Sequence, residues 1–163
     1  AKGGSGGTIA MAAAGVVCLQ EFGQYDDWRI DKNMIVIAEA IKKIPDLKPG
    51  DGKANRNGTL PFDAYSLYYV GQALYQVGGV PWKENYPKLR DYLVASQRMD
   101  AANVAEHGSW MDHGAGGGGR VGGKPGQLYG TSVACFILAI PNRYLPILQE
   151  GKIESLKNKF GTK

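Results

Sequence analysis

Apolar and polar residues along this chain form two kinds of helical pattern. Residues 8–22 are small or apolar almost all round, which is typical of a buried helix. Thr8 is placed to cap its start, and Gly23 to end it. Residues 28–43 carry apolar side chains on one face only, and they predict an amphipathic surface helix. That face consists of Ile30, Met34, Ile37, Ala38 and Ile41.

The same alternation continues through three further segments. Residues 63–77 are mostly apolar and predict a third helix that stops at Gly78. A fourth, amphipathic helix is predicted over residues 87–97, with a proline in its first turn. Its apolar face consists of Leu89, Tyr92, Leu93 and Ser96. Residues 128–140 are buried in character and are ended by Pro141.

These patterns predict an all-α fold of about five main helices, in which buried and amphipathic helices alternate and pack as two layers. A chain of 163 residues fits a single domain, 1–163. A weak echo between Gly7-Thr8 and Gly130-Thr131, each before an apolar run, indicates an internal repeat. The other segments are a flexible glycine-rich start (1–7), a long glycine-rich loop (98–127) and a basic tail (150–163).

Composition and charge limit the classes of partner that the chain is expected to bind. The residues are 44% hydrophobic, but no apolar run reaches the roughly 18 residues of a membrane span. The net charge of +4 is scattered outside the tail, and no nucleic-acid-binding module is present, so a nucleic-acid partner is not expected. Cys18 and Cys135 lie in apolar stretches, where they are expected to be buried. Whether they pair, and in which compartment the chain works, stays open.

One ordered set of residues carries a family resemblance. A helix ending in Gln97 leads to Gly108-Ser109-Trp110 and then to an apolar helix that opens with Tyr129-Gly130-Thr131. This order resembles the QW repeat of squalene-type cyclases, in the terpenoid cyclase and protein prenyltransferase superfamily. The final segment also looks like uncharacterised bacterial proteins with prenyltransferase and squalene-oxidase-type repeats. The resemblance implies a partial α/α-toroid, in which Gln97, Gly108 and Trp110 are structural.

Five main helices are about half of a complete toroid. A half ring leaves its inner helices exposed along two edges, which a monomer does not normally tolerate. The resemblance therefore implies a homo-oligomer, or another chain or missing segment that completes the ring.

The catalytic residues of the resembled enzymes are mostly absent. No Asp-x-Asp-Asp run of the cyclases is present, and the adjacent pair Asp26-Asp27 fits helix capping. The prenyltransferase zinc motifs correspond here to Asp63-Ala64-Tyr65-Ser66, without the cysteine, and to Tyr129-Gly130-Thr131, without the histidine. Asp63 therefore fits an N-cap, and it remains a weak metal candidate. We expect no cofactor.

Two other features in the 98–127 loop have candidate chemistry. His107, Asp112 and His113 flank Trp110 and are metal-capable, although they match no recognised ligand spacing, so local hydrogen bonding is the alternative. Residues 114–126 are rich in glycine but lack the Lys-Ser/Thr ending of a phosphate-binding loop, and a flexible connector is the favoured interpretation.

An aromatic set is the remaining candidate site. In toroid enzymes, inner-face aromatic residues hold an isoprenoid and stabilise cations through their ring faces. In a helix bundle the same residues form core, which is the favoured interpretation. The candidates for an apolar pocket are Tyr65, Tyr68, Tyr69, Tyr75 and Tyr129.

The leading hypothesis is a non-catalytic structural or interaction domain that assembles with itself or with a partner. One alternative is a fragment of a terpenoid- or prenyl-processing enzyme, with catalytic residues on a missing segment. The other is an isoprenoid- or lipid-binding protein.

Overall fold

The computed structural model describes residues 8–50, 56–112 and 123–142, and the regular elements in this part of the chain are helices. The five α-helices are α1 (Ile9–Glu21), α2 (Trp28–Lys42), α3 (Ala64–Val77), α4 (Gly79–Ser96) and α5 (Gly123–Ala139), and a short 3-10 helix follows at Ile140–Asn142. Within these residues there is no strand, only an isolated bridge between Thr59 and Met111. The predicted all-α class is confirmed.

The first three helices begin where their capping residues predict. The Thr8 side chain accepts a hydrogen bond from the Met11 backbone N–H at 3.3 Å. Asp27 caps α2 through the Arg29 N–H at 2.9 Å, and a hydrogen bond from the Arg29 side chain helps to lower the pKa of Asp27 to about 2. Asp63 caps α3, because it accepts from the Ser66 N–H at 3.0 Å.

The predicted start of α4 is wrong. The helix begins at Gly79 rather than at Pro87, which lies inside it. Pro81 occupies the first turn, where a missing N–H costs nothing. Gly78 ends α3 and also caps α4, with a positive φ of 64° that only glycine adopts readily. Pro87 therefore does not mark a helix start, because the helix continues through it.

The predicted start of α5 is also wrong. The helix begins at Gly123, so five residues that were assigned to the 98–127 loop are helical. Pro125 lies in the first turn. Thr131 is consequently inside α5 and not at its start, unlike Thr8, which weakens the predicted internal echo. The 1–7 start, the 150–163 tail and most of 113–127 lie outside the described residues.

Helix α3 is the centre of the arrangement. It packs against α1, α2, α4 and α5, and most extensively against α1 and α5. Helices α2 and α4 also pack against each other. The buried apolar side chains form one connected core, whose largest fully buried members include Ile37, Ile41, Leu67, Leu74, Leu89, Leu93 and Ile137.

Charge separates the helices into two sets. Helices α1, α3 and α5 together carry two charged residues, Glu21 and Lys124, each near a helix end. Helices α2 and α4 carry charges along their lengths, as amphipathic helices do. The sparsely charged set thus consists of the central helix α3 and the two helices that flank it, α1 and α5.

The flanking helices are not buried all round, contrary to prediction. An exposed stripe along α1 and its C-cap, the α1 stripe, consists of Met11, Cys18 and Phe22. The α5 stripe consists of the exposed residues Leu128, Ser132 and Cys135. Both cysteines are free and exposed, so the prediction that they are buried is wrong. A helix that is apolar all round is expected to have apolar neighbours on every side. The sequence pattern does not show whether those neighbours belong to the same chain. Among the described helices, none is both long and apolar enough to cross a membrane.

Candidate functional site

The Gln97–Trp110 unit closes the C-terminus of α4. The Gln97 amide donates to the Gly108 carbonyl at 2.9 Å, and the indole N–H of Trp110 donates to the Leu93 carbonyl at 3.0 Å. The Gly58 N–H reaches the Ser96 carbonyl at 2.9 Å. Carbonyls in the last turn of a helix lack some of their helical partners. The Gln97–Trp110 loop adds a bond to the Leu93 carbonyl, and Gly58, between α2 and α3, supplies the bond to the Ser96 carbonyl. The three motif residues join a helix end to the loop that follows.

The same loop forms a seat for α5. The Thr131 hydroxyl accepts from the Trp110 N–H and donates to the Trp110 carbonyl. The Gln127 amide donates to the Ser109 hydroxyl at 2.9 Å and to the Ala105 carbonyl at 3.1 Å. Polar side chains on one face of α5 therefore bind the loop backbone directly.

Gly130 is the point of closest approach between α5 and the loop. A Cβ atom at this position would lie 2.8 Å from the backbone of both Met111 and Asp112, and 3.1 Å from the Trp110 carbonyl. Such contacts require the loop backbone to move. The position that corresponds to the prenyltransferase histidine thus has no room for any side chain.

The metal candidates are dispersed or have other roles. Asp63 bonds the Ser66 N–H and, at 2.5 Å, the Ser66 hydroxyl. Asp112 is 2% exposed and accepts from the Ala64 N–H at 2.7 Å, so two carboxylates cap the start of α3. His107 is exposed, and His113 lies outside the described residues. The described residues contain no group of three or more potential ligands that could hold a metal ion.

An aromatic groove lies between α3 and α5. Its volume is about 310 Å³, at the lower end of the range of small-molecule sites. Its lining contains no charged residue and consists of Tyr65, Tyr68, Tyr69, Tyr129, Ser132, Val133 and Phe136. Tyr65 is 40% exposed and Ser132 is also exposed, so the groove is open to solvent. We call this feature the aromatic groove.

The rings of the aromatic groove hold one another at fixed angles. Tyr69 meets Tyr65 and Tyr68 edge to face, with ring centroids 5.0 and 5.3 Å apart. Tyr68 also contacts Phe136 across the helix interface at 5.1 Å. The spacing of Tyr65, Tyr68 and Tyr69 places all three on one face of α3. Four of the aromatic rings that line the groove therefore each contact at least one other ring of the lining.

Tyr75 is the member of the predicted set that lies elsewhere. Its ring packs edge to face on Trp82 at 5.6 Å, and Trp82 stacks on Tyr86 at 4.0 Å. The Tyr86 hydroxyl donates to the Ile137 carbonyl at 3.3 Å. This second aromatic cluster joins α3, α4 and α5, and Tyr75 does not line the groove.

Burial and nearby charge act together on the tyrosines of the aromatic groove. Burial raises the pKa of Tyr129, and the carboxylates of Asp112 and Asp63 raise it further. Burial also raises the pKa of Tyr69, with smaller effects from Tyr65 and Tyr68. Both hydroxyls are protonated at neutral pH. The two carboxylates at the start of α3 therefore act on a residue that lines the groove.

The sequence interpretation missed three lining residues and one cap. Ser132, Val133 and Phe136 follow Tyr129 at helical spacing on α5, which is the signal that could have included them. They were assigned to buried core because the whole segment is apolar. The cap by Asp112 joins residues 48 positions apart and has no local signal.

Comparisons with protein-family models, with curated proteins and with solved structures find no match to this chain.

Proposed function

We propose that the protein is a non-catalytic binding domain that holds an apolar small molecule, such as an isoprenoid or lipid chain, in the aromatic groove. The observation that carries this proposal is the groove itself, in which five aromatic rings and no charged side chain surround an open cavity. An apolar cavity of this kind favours ligands with hydrocarbon surface, because binding removes that surface from water. The low charge of α1, α3 and α5, which carry charged residues only near two helix ends, supports the same class of ligand.

The proposal that the domain is non-catalytic rests on how its candidate residues are used. Asp63 and Asp112 are engaged as helix caps, and the backbone around Gly130 leaves no space for a metal-binding side chain.

We further propose a half-toroid related to the terpenoid cyclases, with α1, α3 and α5 inside and α2 and α4 outside. The QW-like contacts of Gln97 and Trp110 support that arrangement.

A neutral fluorescent probe, N-phenyl-1-naphthylamine, tests the binding function directly. We expect saturable fluorescence enhancement that octanol or farnesol displaces. Ser132→Trp should abolish it, because a large side chain at the open side of the groove occupies the cavity. Val36→Trp is the matched control, since Val36 is exposed on α2 and away from the groove. Equal binding by both variants, or no saturable binding by the wild type, would contradict the proposal.

Self-assembly is a second candidate function, and the two exposed stripes favour it. Met11 is 64% exposed, Phe22 80% and Leu128 72%, although all three are large apolar side chains. We propose a second copy as the occupant of both stripes. Because α1 and α5 both pack on α3 and each carries an exposed stripe, a two-fold axis can place the α1 stripe of each copy against the α5 stripe of the other. A monomer at micromolar concentration in light scattering would contradict this.

A further inference from the structure

One end of the aromatic groove lies beside two carboxylates. Asp112 and Asp63 both cap α3, whose first turn carries Tyr65 of the groove. Gly130, next to Tyr129, packs against the backbone of Asp112, and a Cβ there would lie 2.8 Å from the Asp112 nitrogen. Both carboxylates also act electrostatically on Tyr129. Neither carboxylate forms an ion pair with a lysine or arginine in the described ranges 8–50, 56–112 and 123–142. A helix N-terminus offsets roughly half of one negative charge. Two carboxylates at one N-terminus therefore leave this end of the groove negative.

The rings of the groove favour the same sign of ligand charge. The faces of tyrosine and phenylalanine rings are negative and attract cations, most strongly alkylated ammonium groups held by several rings. Tyr65 and Tyr68 are both steeply inclined to Tyr69, at 70° and 81°, so ring faces point in different directions around the cavity. This arrangement can surround a bulky cationic head from more than one side.

An anionic head finds no counterpart there. None of the seven lining residues is lysine, arginine or histidine. A phosphate or carboxylate placed in the groove would lose hydration and would meet the field of Asp63 and Asp112 without compensation. The electrostatics therefore disfavour a diphosphate-bearing ligand in this groove.

We infer that the aromatic groove selects ligands in which an apolar body carries an alkylated ammonium head. The head lies against the rings at the Tyr129 end, near the paired carboxylates, and the apolar body lies along Tyr68 and Phe136. This inference rests on the proposed function of the groove, and it adds the sign and chemical class of the head group.

Three ligands with the same alkyl chain separate this inference from the proposed function. Octanol is neutral, octyltrimethylammonium is cationic and octyl sulfate is anionic, and the short chain keeps all three below micelle formation. Each is titrated against the probe-loaded protein at low ionic strength. We expect octyltrimethylammonium to bind about tenfold more tightly than octanol, and octyl sulfate to bind most weakly. Binding of octanol without any preference for the cation would overturn the inference and leave the apolar-ligand function standing. No binding of any ligand would overturn both.

Charge-removing variants test the origin of the preference. Asp112→Asn and Asp63→Asn each remove a negative charge, and asparagine retains an oxygen that can cap the helix. We expect each variant to bring the ratio of cation to octanol affinity down by at least about threefold, with octanol affinity unchanged. Asp91→Asn is the matched control, because Asp91 lies on α4 and pairs with Arg90. A cation preference that both groove variants retain would overturn the role of the carboxylates. Because two separate positions are tested, loss of folding in one still leaves the other as a test.

Discussion

The side-chain hydroxyl of Thr131 forms two hydrogen bonds with the backbone of Trp110, accepting from its N–H at 3.0 Å and donating to its carbonyl at 3.1 Å. One hydroxyl thus fixes the loop that closes α4 to the middle of α5. Extended segments without a neighbouring strand need such partners, because a buried backbone group without one is costly. The contact connects two helices that are separated by the longest connection in the fold.

Thr131→Val removes this hydroxyl and preserves the shape of the side chain. We expect a loss of about 1–3 kcal/mol in the free energy of unfolding, because both backbone groups of Trp110 lose a partner. Urea unfolding followed by circular dichroism measures the difference. Thr131→Ser retains the hydroxyl and should lose less than about 1 kcal/mol. Equal losses in the two variants would show that the methyl group, and not the hydroxyl, is responsible.

Trp110→Ala tests the tryptophan itself. The side chain is 3% exposed and its indole caps α4, so we expect a loss on the order of 3 kcal/mol. Trp110→Phe keeps an aromatic ring but loses the bond to the Leu93 carbonyl, and we expect an intermediate loss. Thermal and urea unfolding of both variants give the comparison. A fully stable Trp110→Ala variant would contradict the structural role.

Alanine substitution at two helical glycines should change the free energy of unfolding in opposite directions. Gly130→Ala should destabilise the protein by about 1–3 kcal/mol, since the new Cβ meets the backbone of Met111 and Asp112. Gly15 in α1 has nothing within 4 Å of its would-be Cβ, so Gly15→Ala should stabilise by about 0.5–1 kcal/mol through helix propensity. Chemical unfolding of both variants tests the pair. Two changes of the same sign would contradict the close approach at Gly130.

Alkaline titration should report the surroundings of Tyr129. Its pKa is raised above the usual value near 10, first by burial and then by Asp112 and Asp63. A tyrosine whose pKa is raised by folding stabilises the fold fully below pH 10, and that contribution is lost as the pH rises through the folded pKa. Carbon-13 NMR of the tyrosine rings measures the value. Asp112→Asn should lower the pKa of Tyr129, and an unchanged value would show that Asp112 does not contribute to the shift.

Disulfide cross-linking tests the proposed dimer. Oxidation of the wild type should give a covalent dimer, because Cys18 on the α1 stripe would face Cys135 of the partner subunit on the α5 stripe. Cys18→Ser and Cys135→Ser alone should each fail to cross-link. An equimolar mixture of the two variants should cross-link again, since one interface of the mixed dimer keeps both thiols. A covalent dimer from either single variant would instead indicate a like-with-like contact and contradict the pairing.

The sequence predicted well those features that local chemistry determines. The starts of α1, α2 and α3 follow from Thr8, Asp27 and Asp63, because a capping side chain acts on backbone groups two or three residues away. The starts of α4 and α5 were predicted too late. Pro87 and the glycines before Gln127 suggest breaks, but packing and a suitable first-turn proline outweigh these weak local preferences.

The candidate site was only partly predictable for a related reason. Four of the five tyrosines in the predicted set line the aromatic groove, since shared helical spacing gathers residues of α3 on one face. Phe136 lines the groove and Tyr75 does not, and this difference depends on how α3, α4 and α5 pack. The approach of Asp112 to Ala64 likewise depends on the folded path of the long loop. The sequence pattern of a single helix does not show which distant segments will pack against it.

Gly78 has a consequence for how the chain can change in length. A single residue ends α3 and begins α4, so an insertion there would separate two helices whose relative position depends on one backbone conformation. The described residues between α2 and α3, 43–50 and 56–63, contain no helix, and added residues in this connection are tolerated better than at a one-residue junction. Length differences among naturally occurring or engineered versions of this chain should therefore accumulate before Asp63 and be absent at Gly78, which makes α3 and α4 the least divisible part of the domain.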